Sequence, residues 1–134
     1  MSVNFLNRYK KYLLILVMLF LALPLMGQSL LQERAESKVL INRENLVRAK
    51  AEALKDAKGT AIMQAVARYL DYSSMVSLGP LLQNHFFDKS DSFIESVRVI
   101  SERNTEDLSE FTINIETRIF RSRLISALRK LGLP

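Results

Sequence analysis

The sequence predicts an α+β domain. An N-terminal apolar segment is followed by a β-α-α-β-β-α order, with helices packed on one face of a small, three-stranded, mainly antiparallel sheet. Three observations carry this. Alanine recurs at 49, 53, 57, 61 and 65 in a proline-free stretch. "EFTINIETRIF" (110–120) alternates apolar and polar residues with a period of two, the mark of a strand buried on one side. "FIESVRVISE" (93–102) repeats the alternation more loosely, and the polar "ERNTEDLS" joins the two at hairpin length.

The elements follow in order. "MSVNFLNRYKK" carries Arg8, Lys10 and Lys11 and no acid, and "YLLILVMLFLALPLMG" follows without a charge. A basic head before an apolar run describes an export signal over residues 1–29. Gly27 and Ser29 supply small residues for cleavage. No charge occurs from Tyr12 to Gln32, so an uncleaved anchor is the alternative, with membrane contact through residues 12–32. Either way the remainder is expected across the inner membrane. Residues 30–37 read as a polar linker, and 38–134 as a single domain.

"SKVLIN" is a short strand candidate, and Asn42 a candidate N-cap with Glu44 in the first turn of a long helix from about Arg43 to Asp71. Gly59-Thr60 allows a kink there. On a helical projection Leu46, Ala49, Ala53, Leu54, Ala57, Ala61, Ile62 and Ala65 form a slowly winding apolar stripe, opposite Arg48, Glu52, Lys55 and Asp56. A ridge of methyl groups lets a helix lie close to a surface that supplies its own bulk.

Gly79-Pro80 opens a second, shorter helix with Leu81, Leu82, Phe86 and Phe87 on its buried side. In the third strand Phe111, Ile113, Ile115 and Ile119 share the inward face, and Thr112, Asn114, Glu116 and Arg118 the wet one. "RSRLISALRKLGLP" places Leu124, Leu128 and Leu131 at helical spacing, with Ser122 as a candidate cap and Gly132 as the stop.

The chain has no cysteine, which excludes disulfides, thiolate metal sites and lipidation at Gln28. A cysteine-free exported domain favours a Gram-negative periplasm. The formal net charge is +5, but three basic residues lie in the head. Beyond residue 29 there are 16 Lys and Arg against 14 Asp and Glu, too balanced for a nucleic-acid footprint. His85 is the only histidine and has no partner at recognisable catalytic spacing. "DKSDS" (88–92) lacks the glycine and distal acid of a calcium loop. No enzyme activity, metal or cofactor is therefore expected. Arg118, Arg121, Arg123, Arg129 and Lys130 are a candidate docking site for an anionic partner, either lipid headgroups or a protein, set against plain solvation and a favourable helix C-terminus.

"ENLVRAKAEALKDAKGTAIMQAV", "FIESVRVISE" and "FTINIETRIFRSRLISALRKLG" together resemble the N-terminal domain of the flagellar assembly protein T family and its lipoprotein relatives in bacterial envelopes, over about residues 36–134. Gln28 stands where those lipoproteins carry the lipidated cysteine. The resemblance implies a periplasmic, non-enzymatic module that helps assemble a flagellar-motor-associated or other envelope complex, through protein partners and as a candidate homo-oligomer. The alternative is a small membrane-anchored periplasmic regulator or ligand-binding protein.

Overall fold

The structure, a computed structural model, describes residues 9–13, 29–41 and 45–133. Residues 9–13 are helical. The export or anchor reading otherwise falls on residues outside the described ones, as do Asn42 and Glu44.

The domain is α+β, with three eleven-residue strands in one antiparallel sheet of order β1-β3-β2. These are β1 (Leu30–Leu40), β2 (Ile94–Asn104) and β3 (Glu110–Phe120). β3 is central, and its alternation appears as expected: Phe111, Ile113, Ile115 and Ile119 are buried, and Thr117 joins them. The Thr117 hydroxyl donates to the Glu33 carbonyl at 3.1 Å, which satisfies its polar group inside the layer.

The linker expected at 30–37 is instead most of β1, which pairs with β3 along its whole length. Its inward residues are Leu31, Glu33, Ala35, Ser37 and Val39, so polar and small side chains conceal the strand pattern. Their size has a physical reason. α1 (Leu46–Val66) lies across β1 and β3, and its buried Ala49, Ala53, Ala57 and Ala61 pack with Ala35, Phe111, Ile113 and Ile115. Methyl groups from the helix and from β1 bring the layers close, and β3 supplies the bulk.

α1 is capped by Asn45, not Asn42. The Asn45 side chain accepts from the Arg48 backbone N–H at 3.1 Å. The helix runs unbroken through Gly59-Thr60. Gly59 is there for close approach: a Cβ at that position would lie 2.5 Å from the Phe87 ring. The expected polar face of Arg48, Glu52, Lys55 and Asp56 is exposed.

α1 ends five residues before the expected Asp71, and a short helix missing from the expectation follows. This is α2 (Tyr72–Ser77), capped by Asp71, whose carboxylate accepts from Ser74 N–H at 2.7 Å. The Ser74 side chain, and after it this N–H bond, holds the Asp71 carboxyl below its ordinary pKa. The second expected helix is short, α3 (Gly79–Leu82), with Pro80 in its first turn, and it passes into a π turn over Gln83–Phe87. Leu82 and Phe86 are buried there, Phe87 is half-buried against Gly59, and Leu81 is exposed.

α4 (Arg121–Lys130) continues directly from β3, so Ser122 lies inside its first turn and not at the cap. Leu124 and Leu128 are buried, and the helix stops at Gly132 with φ +74°. Gly132 N–H bonds Arg129 O, and Leu133 N–H bonds Leu128 O, the paired closure that a left-handed residue permits. Around Ile119 a second core cluster forms from Ile62, Val66, Leu82, Phe86, Phe93, Leu124 and Leu128. Helices thus cover one sheet face, densest at the end where β1 begins.

Candidate interaction surface

Among the described residues no element packs on the face of the sheet turned away from the helices. On it Glu116 of β3 stands in register between Arg34 of β1 and Arg98 of β2. Arg34 Nε and Arg98 Nη2 each lie 3.2 Å from Glu116 Oε2, so one carboxylate ties all three strands. Burial pushes the Glu116 carboxyl up, but Arg98 and then Arg34 outweigh it, and its pKa lies below the ordinary value. Lys38 reaches Glu110 at 3.7 Å and Arg103 reaches Glu36 at 3.8 Å. Exposed pairs of this kind contribute little stability each, about 0–1 kcal/mol. They do fix a patterned array of charge around Thr112 and Asn114.

β2 is the second distinctive surface. Its inward Val97 is half-buried, but Val99 is 45 % exposed because α1 lies over β1 and β3 instead. The register shifts twice, leaving Glu95 and Ile100 as extra residues, and Ile100 is 41 % exposed. Such bulges bend an edge strand and blunt indiscriminate pairing. Among the described residues no strand pairs with the outer side of β2. Lys50 of α1 reaches across to Glu102 at 3.7 Å, over the rim of the gap.

Four of the five basic residues expected as a docking site, Arg118, Arg121, Arg123 and Lys130, are brought to the end of the domain where β1 begins, β3 ends and α4 starts, and Arg129 adjoins Lys130 in the last turn of α4. They form two groups there. Arg118 lines a shallow depression of about 430 Å³ with Leu30, Leu31, Gln32 and Arg68, and Arg121 Nε donates to Tyr69 OH at 3.2 Å beside it. Arg123 stacks over the Phe120 ring at 4.2 Å and donates to the Ser92 carbonyl. It lines a second depression, of about 480 Å³, with Lys130, Ser122 and Ser126. Arg129 and Lys130 close α4.

Arg68 is the member that sequence reasoning missed. It lies 50 residues before Arg118 in the chain, and only the fold joins them. Its Nε lies 2.6 Å from Glu33 Oε1, and its Nη2 donates to the Gln32 carbonyl. With the Gln64 amide turned so that its nitrogen faces them, it donates to the Arg34 carbonyl and to Glu33 Oε2, which holds the half-buried Glu33 from a second direction.

His85 is exposed on the π turn. In "DKSDS", Asp91 pairs with Lys58 at 3.1 Å and Ser90 is buried in a 3-10 turn. Among the described residues no group of three or more His, Asp or Glu side chains could hold a metal ion. Asp107 organises the hairpin. It accepts from the hydroxyls of Thr105 and Ser109, both at 2.7 Å, and these bonds hold its carboxyl below the usual range. Among the described residues no helix is long and apolar enough to cross a membrane. Comparison with protein-family models, with curated proteins and with solved structures returns no match for the chain.

Proposed function

We propose that the chain is an exported, non-enzymatic interaction module of a bacterial periplasm, which contributes its bare sheet face and its β2 margin to a multiprotein envelope assembly. The observation that carries this reading is the one-sided cover of the sheet. A three-stranded sheet with one patterned charged face and an incompletely covered margin offers a broad, flat surface for a protein partner. The resemblance of residues 36–134 to the flagellar assembly protein T family agrees with it and names a flagellar-motor-associated complex as one such assembly. A second copy of the chain is also compatible with the β2 margin.

The test is in-cell photo-crosslinking of the full chain. A benzoyl-phenylalanine replaces Val99 or Thr112, and Lys55 on the solvent face of α1 as control. A discrete protein adduct from positions 99 and 112, absent at 55, supports the reading, and the adduct mass separates a second copy from a different partner. An exported, folded chain that yields no adduct at 99 or 112 overturns it.

The alternative is a membrane-anchored regulator or ligand-binding protein that keeps the uncharged run, whose last three residues, Leu30–Gln32, already belong to β1. N-terminal sequencing of the mature chain separates the two forms of attachment, since a start near Gln28 or Leu30 eliminates the anchor.

A further inference from the structure

We propose that the end of the domain carrying Arg118, Arg121, Arg129 and Lys130 seats on the headgroups of an anionic phospholipid bilayer, which orients the sheet away from the membrane. The proposal rests on the exported, envelope-associated reading and adds the surface that faces the lipid.

Charge is the first argument. Arg118, Arg121, Arg129 and Lys130 make no ion pair with an acid among the described residues. The acids at this end are mostly engaged: Glu33 by Arg68, Asp71 by the start of α2, and Asp91 by Lys58. Glu95, which accepts from the Ser96 hydroxyl, and Asp88, which accepts from the Gln83 amide, are the exceptions. A local surplus of cations therefore remains, although the exported part is nearly neutral. Each such side chain near an anionic surface favours binding by about fivefold.

Exposed apolar groups are the second argument. Tyr72 and Val76 lie one turn apart on α2 and are 84 % and 62 % exposed, and α2 buries none of its residues. Met75 and Leu78 tie this helix to the same core cluster as Leu31, Leu124 and Leu128. A tyrosine and a valine on a serine-rich turn, which follows the Tyr69 hydroxyl that Arg121 meets, match the interfacial zone of a bilayer, which takes aromatic rings and positive charge together.

The third argument is position. β1 starts at Leu30 at this end, opposite Phe120. The neighbouring sequence has no charge back to Tyr12. A chain joined to lipid through that run enters the domain at this end, whereas the hairpin lies a full strand away, about 35 Å.

The absence of cysteine permits a direct test on the full chain. Ser73→Cys beside Tyr72, or Glu106→Cys in the hairpin, receives a fluorophore. The protein is reconstituted with phosphatidylcholine vesicles or with vesicles containing phosphatidylglycerol, each carrying headgroup nitroxide lipids. Quenching at 73 should exceed quenching at 106 about threefold in the anionic vesicles. It should fall when salt shortens the screening length to about 3 Å. Arg118→Gln with Arg121→Gln should remove at least half of it, and so should Tyr72→Ser with Val76→Ser, a pair on an unburied helix that leaves the core intact. Circular dichroism checks the fold of each variant. Equal quenching at 73 and 106 overturns the proposal. So does quenching at 73 that ignores both salt and the arginines, or arginine variants that keep lipid contact but lose a protein adduct in cells. Crosslinking at Val99 is read in cells and quenching in vesicles, so either result can fail while the other stands.

Discussion

Ile115 and Val99 face each other across β3 and β2, both turned toward the helices, yet one is fully buried and the other nearly half exposed. The two strands carry the same kind of alternation, so their chemistry does not explain the difference. The helix does. α1 lies over β1 and β3, where small inward residues on β1 let it descend, and β2 is left at the margin. Period-two alternation therefore reports which way a side chain points, and cover is decided by where a distant element comes to rest.

The largest expected effect is at Phe111, buried beneath α1 with Lys50 Nζ 5.8 Å from its ring centre. Phe111→Ala should cost about 3–5 kcal/mol by urea unfolding. Its register partner Asn104 is exposed on β2, and Asn104→Ala should stay within about 0.5 kcal/mol. Equal losses would break the contrast between strands.

Next comes the methyl contact itself. Ala57 is fully buried, so Ala57→Leu should destabilise by about 1–3 kcal/mol although leucine is more apolar. A gain in stability would mean that the layers are not closely packed. The cap of α1 sharpens the same point at lower amplitude, since Asn45→Ala should cost about 0.5–2 kcal/mol by the same measurement.

The bare face should respond to pH instead. The folded state depresses the Glu116 pKa, so its contribution is complete above the ordinary glutamate value, about 4.3, and is lost as pH falls through the lower folded value. The wild type should exceed Glu116→Gln in urea midpoint at neutral pH, and the gap should close in acid. A gap that widens in acid contradicts the Arg34–Glu116–Arg98 link.

Much of this was legible in the chain. The alanine stripe named the face of α1, and β3 declared its buried side, because each buries residues at the period of its own backbone. β1 was hidden from Leu30 to Ser37, since its inward Glu33, Ala35 and Ser37 suit close approach and an ion pair and give no apolar signal. Asp71 opening α2 was a readable cap, but six residues without a buried side chain leave no periodicity to find. At the candidate surface the C-terminal basic residues were visible, while Arg68 joins Arg118 only through the fold. Position on the sheet margin, which distinguishes Val99 from Ile115, has no local trace at all.

The most direct test of that distinction is the matched pair Ile115→Ala and Val99→Ala, measured by urea unfolding under one set of conditions. Ile115→Ala should lose about 2–5 kcal/mol and Val99→Ala less than about 1 kcal/mol. Equal losses, or a larger one at Val99, would mean that β2 is covered and that the sheet has no open margin.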